Sequence, residues 1–367
     1  MRPYSVARDT SRTAATPLFL AVGLFSMILL LIYLLVYFPV ATPRLATSPT
    51  PPTPKRQADE ATQVDVAPAT TDLYAFIDRV EHRRQIPMLH QPFLYAVRLK
   101  LYLPWKPNVT FGENDFALEG HLRMHFVSGG GSRILLHSVD QHIGDCSLLD
   151  EFGRSIGVKQ VRREHSQLLD FELMHDMISG MNYTLDIPFR GHISQDKQDG
   201  IFASPYKHGE ETRFLTATHL QTTEARSVFP CIDIPEVKAQ YDVVVEHPTG
   251  TSAVSNMMEN ETSVDGNWTV TKFHRTPPMS TYLFALAVSD FPFLESHSSQ
   301  GIRIRVYCDP LKIADSVLML DSTGPLLDFF TDYFGIPYPL DKLGPFIFKI
   351  FDSDSKSCHL HITRRIP

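Results

Sequence analysis

Thiol and imidazole groups crowd together at one place in this 367-residue sequence, the run Cys358-His359-Leu360-His361. Both groups are zinc ligands, so the cluster raises metal chemistry at once. Its spacing argues the other way. A C-H-x-H run lacks the loop separation that lets four ligands surround one ion, and no metal site is expected there. A second pair, His121 and His125, lies in FALEGHLRMHF, where Leu118, Leu122, Met124 and Phe126 alternate with Glu119, His121, Arg123 and His125. Two histidines on the polar face of a strand are expected to be solvated side chains. Cys146, Cys231, Cys308 and Cys358 have no C-x-x-C spacing and permit three pairings, of which the sequence chooses none. They are expected to be buried thiols, with at most one incidental bridge.

Asparagine supplies a different chemistry. Asn108, Asn182, Asn260 and Asn267 each open an N-x-S/T sequon, a glycan acceptor wherever the chain passes through a secretory lumen. The elements around them predict that passage. The run Leu18 to Phe38 carries no charged side chain, and at about 1.5 Å per residue it crosses a bilayer core of about 30 Å. No small-residue cleavage site follows it, so a permanent anchor is expected over 17–38. Arg2, Arg8 and Arg12 precede the run while only Arg44 closely follows, which puts residues 1–16 in the cytoplasm and the bulk of the chain outside or in a lumen. The expected topology is a single-pass type II protein of the plasma membrane or secretory pathway.

Residues 39–85 begin with a Pro/Thr-rich stretch that cannot build a core and read as a stalk. Within it, Leu73, Phe76, Ile77 and Val80 at helical spacing suggest a short amphipathic helix over Asp72 to Gln85. From about Tyr95 the hydrophobic period becomes two, in FALEGHLRMHF, YTLDIPF, YDVVVEH and IRIRVY, which predicts a large antiparallel β-domain. Near the end, in KIADSVLMLDSTGPLLDFF, the pattern turns helical, with Ile313, Val317 and Leu320 on one side, a break at Gly324 and Pro325, then Leu327, Phe330 and Phe334. Strands followed by helices suggest a second, α-containing domain. The formal charge of -7, spread along the chain, offers no basic patch and excludes nucleic acid as an expected partner.

Three runs carry a resemblance: E-A-R-x-x-F-P-C-x-D from Glu224 to Asp233, T-P-x-M-S-T-Y-L from Thr276 to Leu283, and F-G-x-P-Y-P-L from Phe334 to Leu340. Together, over about Pro87 to Leu343, they resemble the aminopeptidase N family of zinc metallopeptidases. The resemblance implies a saddle-shaped β-domain over 86–295 followed by the start of a thermolysin-like α/β catalytic domain over 296–343, so the fold is expected to be mainly β. It implies zinc-dependent removal of N-terminal residues from peptides, using an H-E-x-x-H helix, a later glutamate ligand and a G-A-M-E-N loop. None of these motifs occurs in the sequence. Where they would come, residues 344–367 diverge. The expectation is therefore an incomplete catalytic domain, no zinc in this chain and no peptidase activity, with at most weak binding of peptides that have a free N-terminus.

One family role falls in the part that matches. Gln221, in HLQTTEAR, sits where the family places a Gln or Glu beside the free ammonium of the first substrate residue, and the alternative is a surface glutamine. Arg226 and Asp233 read as an internal ion pair. Ile232 and Ile234 depart from the commoner F-D-E-P form. Two other readings stay open: a non-catalytic binding or adhesion module, and a truncated isoform or gene model of an active enzyme. Dimerisation is left open. Gly344 to Pro367 is expected to be poorly ordered, behind a segment that exposes apolar side chains.

Overall fold

The computed structural model describes residues 89–164, 167–309, 313–348 and 358–361. The expected cytoplasmic tail, anchor, stalk and Asp72–Gln85 helix lie outside the described residues. Among those described, no helix is long and apolar enough to cross a membrane.

The described chain is mainly β, as the period-two patterning predicts. Its centre is a ten-stranded sheet in which His90–Leu101 lies between Ala117–Ser128 and Lys238–Pro248. Strand Asn182–His192 continues the sheet beyond Ala117–Ser128. Inward-facing Tyr95, Val97, Leu99, Leu122, Met124, Phe126, Tyr183, Leu185, Ile187, Tyr241, Val243 and Val245 meet in one core. The alternation in FALEGHLRMHF skips a large residue at Gly120, and the structure shows why. Gly120 stands opposite Phe189, and a Cβ there would lie 2.0 Å from the Phe189 ring, so the ring fills the space that the glycine leaves.

One feature differs from the antiparallel expectation. His90–Leu101 pairs with Lys238–Pro248 in parallel, Leu94 opposite Gln240 through Lys100 opposite Glu246. Parallel neighbours need a long crossover, and the chain between them supplies it with most of the domain. A four-stranded sheet, Gly200–His208, Glu211–His219, Leu286–Ser289 and Ser252–Ser255, and a three-stranded one, Gly131–His137, Leu168–Met177 and Val158–Glu164, complete this part.

A further sheet begins with Phe293–His297 paired antiparallel to Arg303–Cys308, so the division expected at 295/296 falls inside a strand. The helix Ile313–Phe334 packs on these two strands. It runs without a break through Gly324 and Pro325, where the sequence suggested punctuation. Gly324 faces the sheet, where a Cβ would make ordinary contact, 3.5 Å from Ile304 and 3.6 Å from the His297 carbonyl. Gly335, at φ +64°, takes the left-handed position that ends the helix. The helix leaves Leu318, Leu326, Phe329, Phe330, Tyr333 and Phe334 exposed. The divergent tail departs from its expected disorder where it is described. Pro345–Phe348 pairs in parallel with Arg303–Cys308, and Cys358–His361 pairs with Pro345–Phe348, because a strand with free edge groups accepts any extended segment that reaches it.

Candidate functional site

Gln221 follows the strand Glu211–His219, whose register is set by nine pairs with Gly200–His208. The chain turns at once. Leu220 is buried, the Gln221–Thr222 peptide is cis, and the Glu224 N–H donates to the Leu220 carbonyl at 3.0 Å. A single 3-10 turn, Ala225–Ser227, follows. Gly200 permits the close approach of this turn: its φ is +74°, and a Cβ would sit 2.1 Å from Ser227 Oγ. Gln221 and Thr222 are exposed on the resulting loop.

The loop is held from below. Arg226 and Asp233, each 3% exposed, face one another in the core. Arg226 Nε donates to Asp233 Oδ2 at 3.0 Å, Nη2 to the Asp233 carbonyl at 3.1 Å, and Nη1 to Gln167 Oε1 at 2.9 Å. Asp233 Oδ1 accepts from the Thr281 hydroxyl at 2.6 Å, and the Asp233 N–H donates to His137 Nδ1 at 3.1 Å. The Tyr95 hydroxyl accepts the Ile232 N–H at 3.2 Å, which ties the loop to the central strand. Buried polar groups at this density are satisfied one by one, so the loop has a single arrangement.

The two recognisable runs therefore brace each other. Thr281 reaches Asp233, Ser280 Oγ donates to the Pro235 carbonyl at 2.6 Å, and Thr276 Oγ1 accepts the Tyr241 N–H at 2.9 Å. Arg226 and Asp233 form the internal ion pair read from the sequence. Ile232 is buried in the main core and Ile234 packs against it, so the two departures from the F-D-E-P form are accommodated as apolar contacts.

Three groups beside Gln221 escaped the sequence reading. The register Gly200 opposite His219 brings Asp199 next to His219, with His219 Nδ1 3.6 Å from Asp199 Oδ1. Glu224 lies close by, and burial, then the Asp199 charge, push its carboxyl above the usual range. Asp199 and Glu224 are 25 residues apart in sequence, and only the hairpin reveals their nearness. Two carboxylates, Asp199 and Glu224, thus lie near the Gln221 loop, with Lys197 and Arg226 also acting on Glu224.

The histidine pair from the sequence makes no ligand set. His121 Nε2 contacts Asp186, whereas His125 is half-buried and bonded through Nδ1 to Thr184 Oγ1 at 2.9 Å. Burial lowers the His125 pKa, so this histidine is held neutral instead of simply solvated. Among the described residues no group of three or more His, Cys, Asp or Glu is placed to hold a metal ion. Cys146, Cys231 and Cys308 are free thiols, the last two buried. The side chains of Cys358, His359 and His361 lie outside the described set. Asn108, Asn182, Asn260 and Asn267 are all exposed.

Comparison with known proteins gives this geometry a context. The peptidase M1 N-terminal domain matches residues 91–283. Aminopeptidase N of Bos taurus is 31% identical over 305 residues, covering 78% of this chain and 31% of the relative. Aminopeptidase N of Homo sapiens is 37% identical over 185 residues, or 49% of this chain and 19% of the relative. Aminopeptidase Q of Mus musculus is 32% identical over 326 residues, covering 82% and 55%. The chain spans from about a fifth to just over half the length of these relatives.

Proposed function

The chain belongs to the peptidase M1 family by its N-terminal domain, an aminopeptidase N-type module, and from that premise we propose that it receives the free amino end of a peptide at Gln221. The family is one of zinc metallopeptidases. The observation that carries the reading is the exposed Gln221 on a loop fixed by the Arg226–Asp233 network, with Asp199 and Glu224 beside it. An amide oxygen accepts from an ammonium, and neighbouring carboxylates add charge attraction. The chain is read as a type II ectoprotein anchored through residues 17–38 and glycosylated at its exposed sequons.

Hydrolysis by the family's zinc mechanism uses an H-E-x-x-H helix, and that motif does not occur in these 367 residues. The chain as given is therefore proposed to bind peptides weakly and not to cleave them. The test is release of a reporter amine from aminoacyl substrates by the purified chain with added zinc. None is expected, and chelator-sensitive release overturns the reading.

A second reading, in which a longer product supplies the zinc helix, is supported by the exposed Leu318, Leu326, Phe329, Phe330 and Tyr333 on one helix and by the greater length of the relatives. Under it the chain alone self-associates, and Phe329→Glu with Tyr333→Glu makes it monodisperse. A monodisperse wild-type chain argues against this reading.

A further inference from the structure

A polar cavity of about 160 Å³ lies where the large β-sheet meets the sheet that begins at Phe293. Thr251, Ser252, Thr262 and Thr269 line it on one side, and Phe293, Arg305 and Tyr307 on the other, with Glu259 at the join. Its lining asks for no charged ligand. Glu259 Oε2 accepts from Arg303 Nη2 at 2.8 Å, and Arg305 Nε donates to Glu295 Oε2 at 2.6 Å, so each charge of the lining has its own partner. At the base, Thr251 Oγ1 donates to the Pro248 carbonyl at 2.6 Å and so accepts from His247 Nδ1 at 2.8 Å. That leaves His247 Nε2 to accept from Thr271 Oγ1 at 3.0 Å, and the ring is neutral.

Two hydroxyls of the lining, those of Thr262 and Thr269, have no hydrogen-bond partner among the described residues. Phe293 and Tyr307, ring centroids 5.5 Å apart, supply an apolar wall. A sugar ring offers what such a lining takes, hydroxyls that donate and accept beside C–H faces that lie against aromatic rings. Both unpartnered threonines also belong to sequons. Thr262 closes Asn260-Glu261-Thr262 and Thr269 closes Asn267-Trp268-Thr269, on the two strands of one hairpin, Glu259–Asp265 and Trp268–Phe273. Thr262 stands opposite Thr271 and Val264 opposite Thr269, so these four share the cavity face, while Glu261 and Lys272 pair on the other. Asn267 lies in the exposed turn two residues before Thr269, and alternation puts it on the cavity face. Asn260 is the extra residue of the bulge between Glu259 and Glu261, which takes it out of that alternation.

We propose that the cavity seats the innermost sugar of an N-glycan carried on Asn267, an N-acetylhexosamine whose hydroxyls bond Thr262 and Thr269 while its C–H face and acetyl methyl lie against Phe293 and Tyr307. Two residues of strand span about 6.8 Å, within the reach of an asparagine side chain that carries a sugar ring. Tethering favours this occupant: a sugar fixed two residues away meets the cavity at an effective concentration that a free sugar does not reach in solution. Once seated, it ties the hairpin to strands Phe293–His297 and Arg303–Cys308, beside the Arg303–Glu259 pair. The site lies apart from the Gln221 loop. It rests on the type II reading, because only a chain that enters the secretory lumen acquires N-glycans.

For the test, the full chain is made in animal cells and solubilised in detergent, and occupancy of each sequon is read on glycopeptides by mass spectrometry. Asn267 is expected to be occupied. Asn267→Gln is expected to lower the melting temperature by about 2–4 °C, the shift that one net hydrogen bond produces in a domain of this size, and Asn260→Gln by less than about 1 °C. Trimming the glycans to their innermost sugar with an endoglycosidase should leave the wild-type melting temperature unchanged. Should Asn267→Gln fail to fold, a chain that keeps only the Asn267 sequon, trimmed to one sugar or completely released, reads the same loss. Thr262→Val, compared with Asn260→Gln because both lose the Asn260 sequon, is expected to at least halve the cost of Asn267→Gln. No glycan on any of the four sequons contradicts the type II reading and this proposal with it. With glycans present elsewhere, an empty Asn267, equal costs of Asn260→Gln and Asn267→Gln, a loss on trimming to one sugar, or a cost of Asn267→Gln unchanged by Thr262→Val overturns the proposal alone.

Discussion

Replacing Arg226 by methionine removes three side-chain hydrogen bonds from the core, to Asp233 Oδ2, the Asp233 carbonyl and Gln167 Oε1. The Asp233 carboxylate stays behind, 3% exposed, with donors left only in the Thr281 hydroxyl and the Arg226 N–H. Removing one partner of a buried ion pair costs about 3–5 kcal/mol. The two surviving donors to a charged acceptor soften the loss, so about 3 kcal/mol is expected. For a domain of this size that lowers the melting temperature by about 6–12 °C. Urea unfolding should show the midpoint falling at constant slope, the mark of lost stability and not of changed compactness. The double change Arg226→Met with Asp233→Leu leaves no orphaned charge and should cost less than the sum of the single changes. A single-mutant loss below about 1 kcal/mol, or strict additivity, refutes the assignment of the pair as the brace of the Gln221 loop.

Three further outcomes are expected. Burial brings His247 down to about 4, so protonation disfavours the folded state: stability is full above about pH 6.5 and falls by about 3 kcal/mol as pH drops to 4. His247→Gln should flatten that slope in pH-dependent urea titrations, and an unchanged slope assigns it elsewhere. Gly120→Ala drives a methyl into the Phe189 ring and should destabilise by about 1–3 kcal/mol, with Phe189→Leu in the same chain restoring part of it on thermal melting. Each Asn→Gln change at Asn108, Asn182, Asn260 or Asn267 should remove at most one glycan from protein made in animal cells, whereas no shift of the wild type on glycosidase treatment contradicts the proposed topology.

Period-two runs were legible because a half-buried strand writes its burial directly into the sequence. Tyr183, Leu185, Ile187 and Phe189 are all buried, as their alternation implies. Ile302, Ile304 and Val306 behave the same way beside Arg303 and Arg305. Pairing direction was not legible. Nothing in VRLKL or YDVVVEH says that these strands run parallel, since parallel and antiparallel neighbours ask for the same apolar face. Gly324 and Pro325 misled because local propensity favours a break there, while the helix as a whole packs on Phe293–His297 and Arg303–Cys308 and runs on. The Arg226–Asp233 pair was visible because both members lie in one short run. Asp199 was not, because strand pairing and not spacing brings it beside His219 and Glu224. The tail strands escaped for the same reason: their partner is Arg303–Cys308, distant in sequence.

The most direct measurement compares calorimetric affinity of one peptide with a free N-terminus and the same peptide acetylated, for the wild-type chain and Gln221→Ala. If Gln221 receives the ammonium, the free peptide binds the wild type about tenfold more tightly, as one charged hydrogen bond allows, and the substitution removes that preference without altering affinity for the acetylated form. Equal affinity of both peptides for the wild type, or a preference that survives Gln221→Ala, contradicts it.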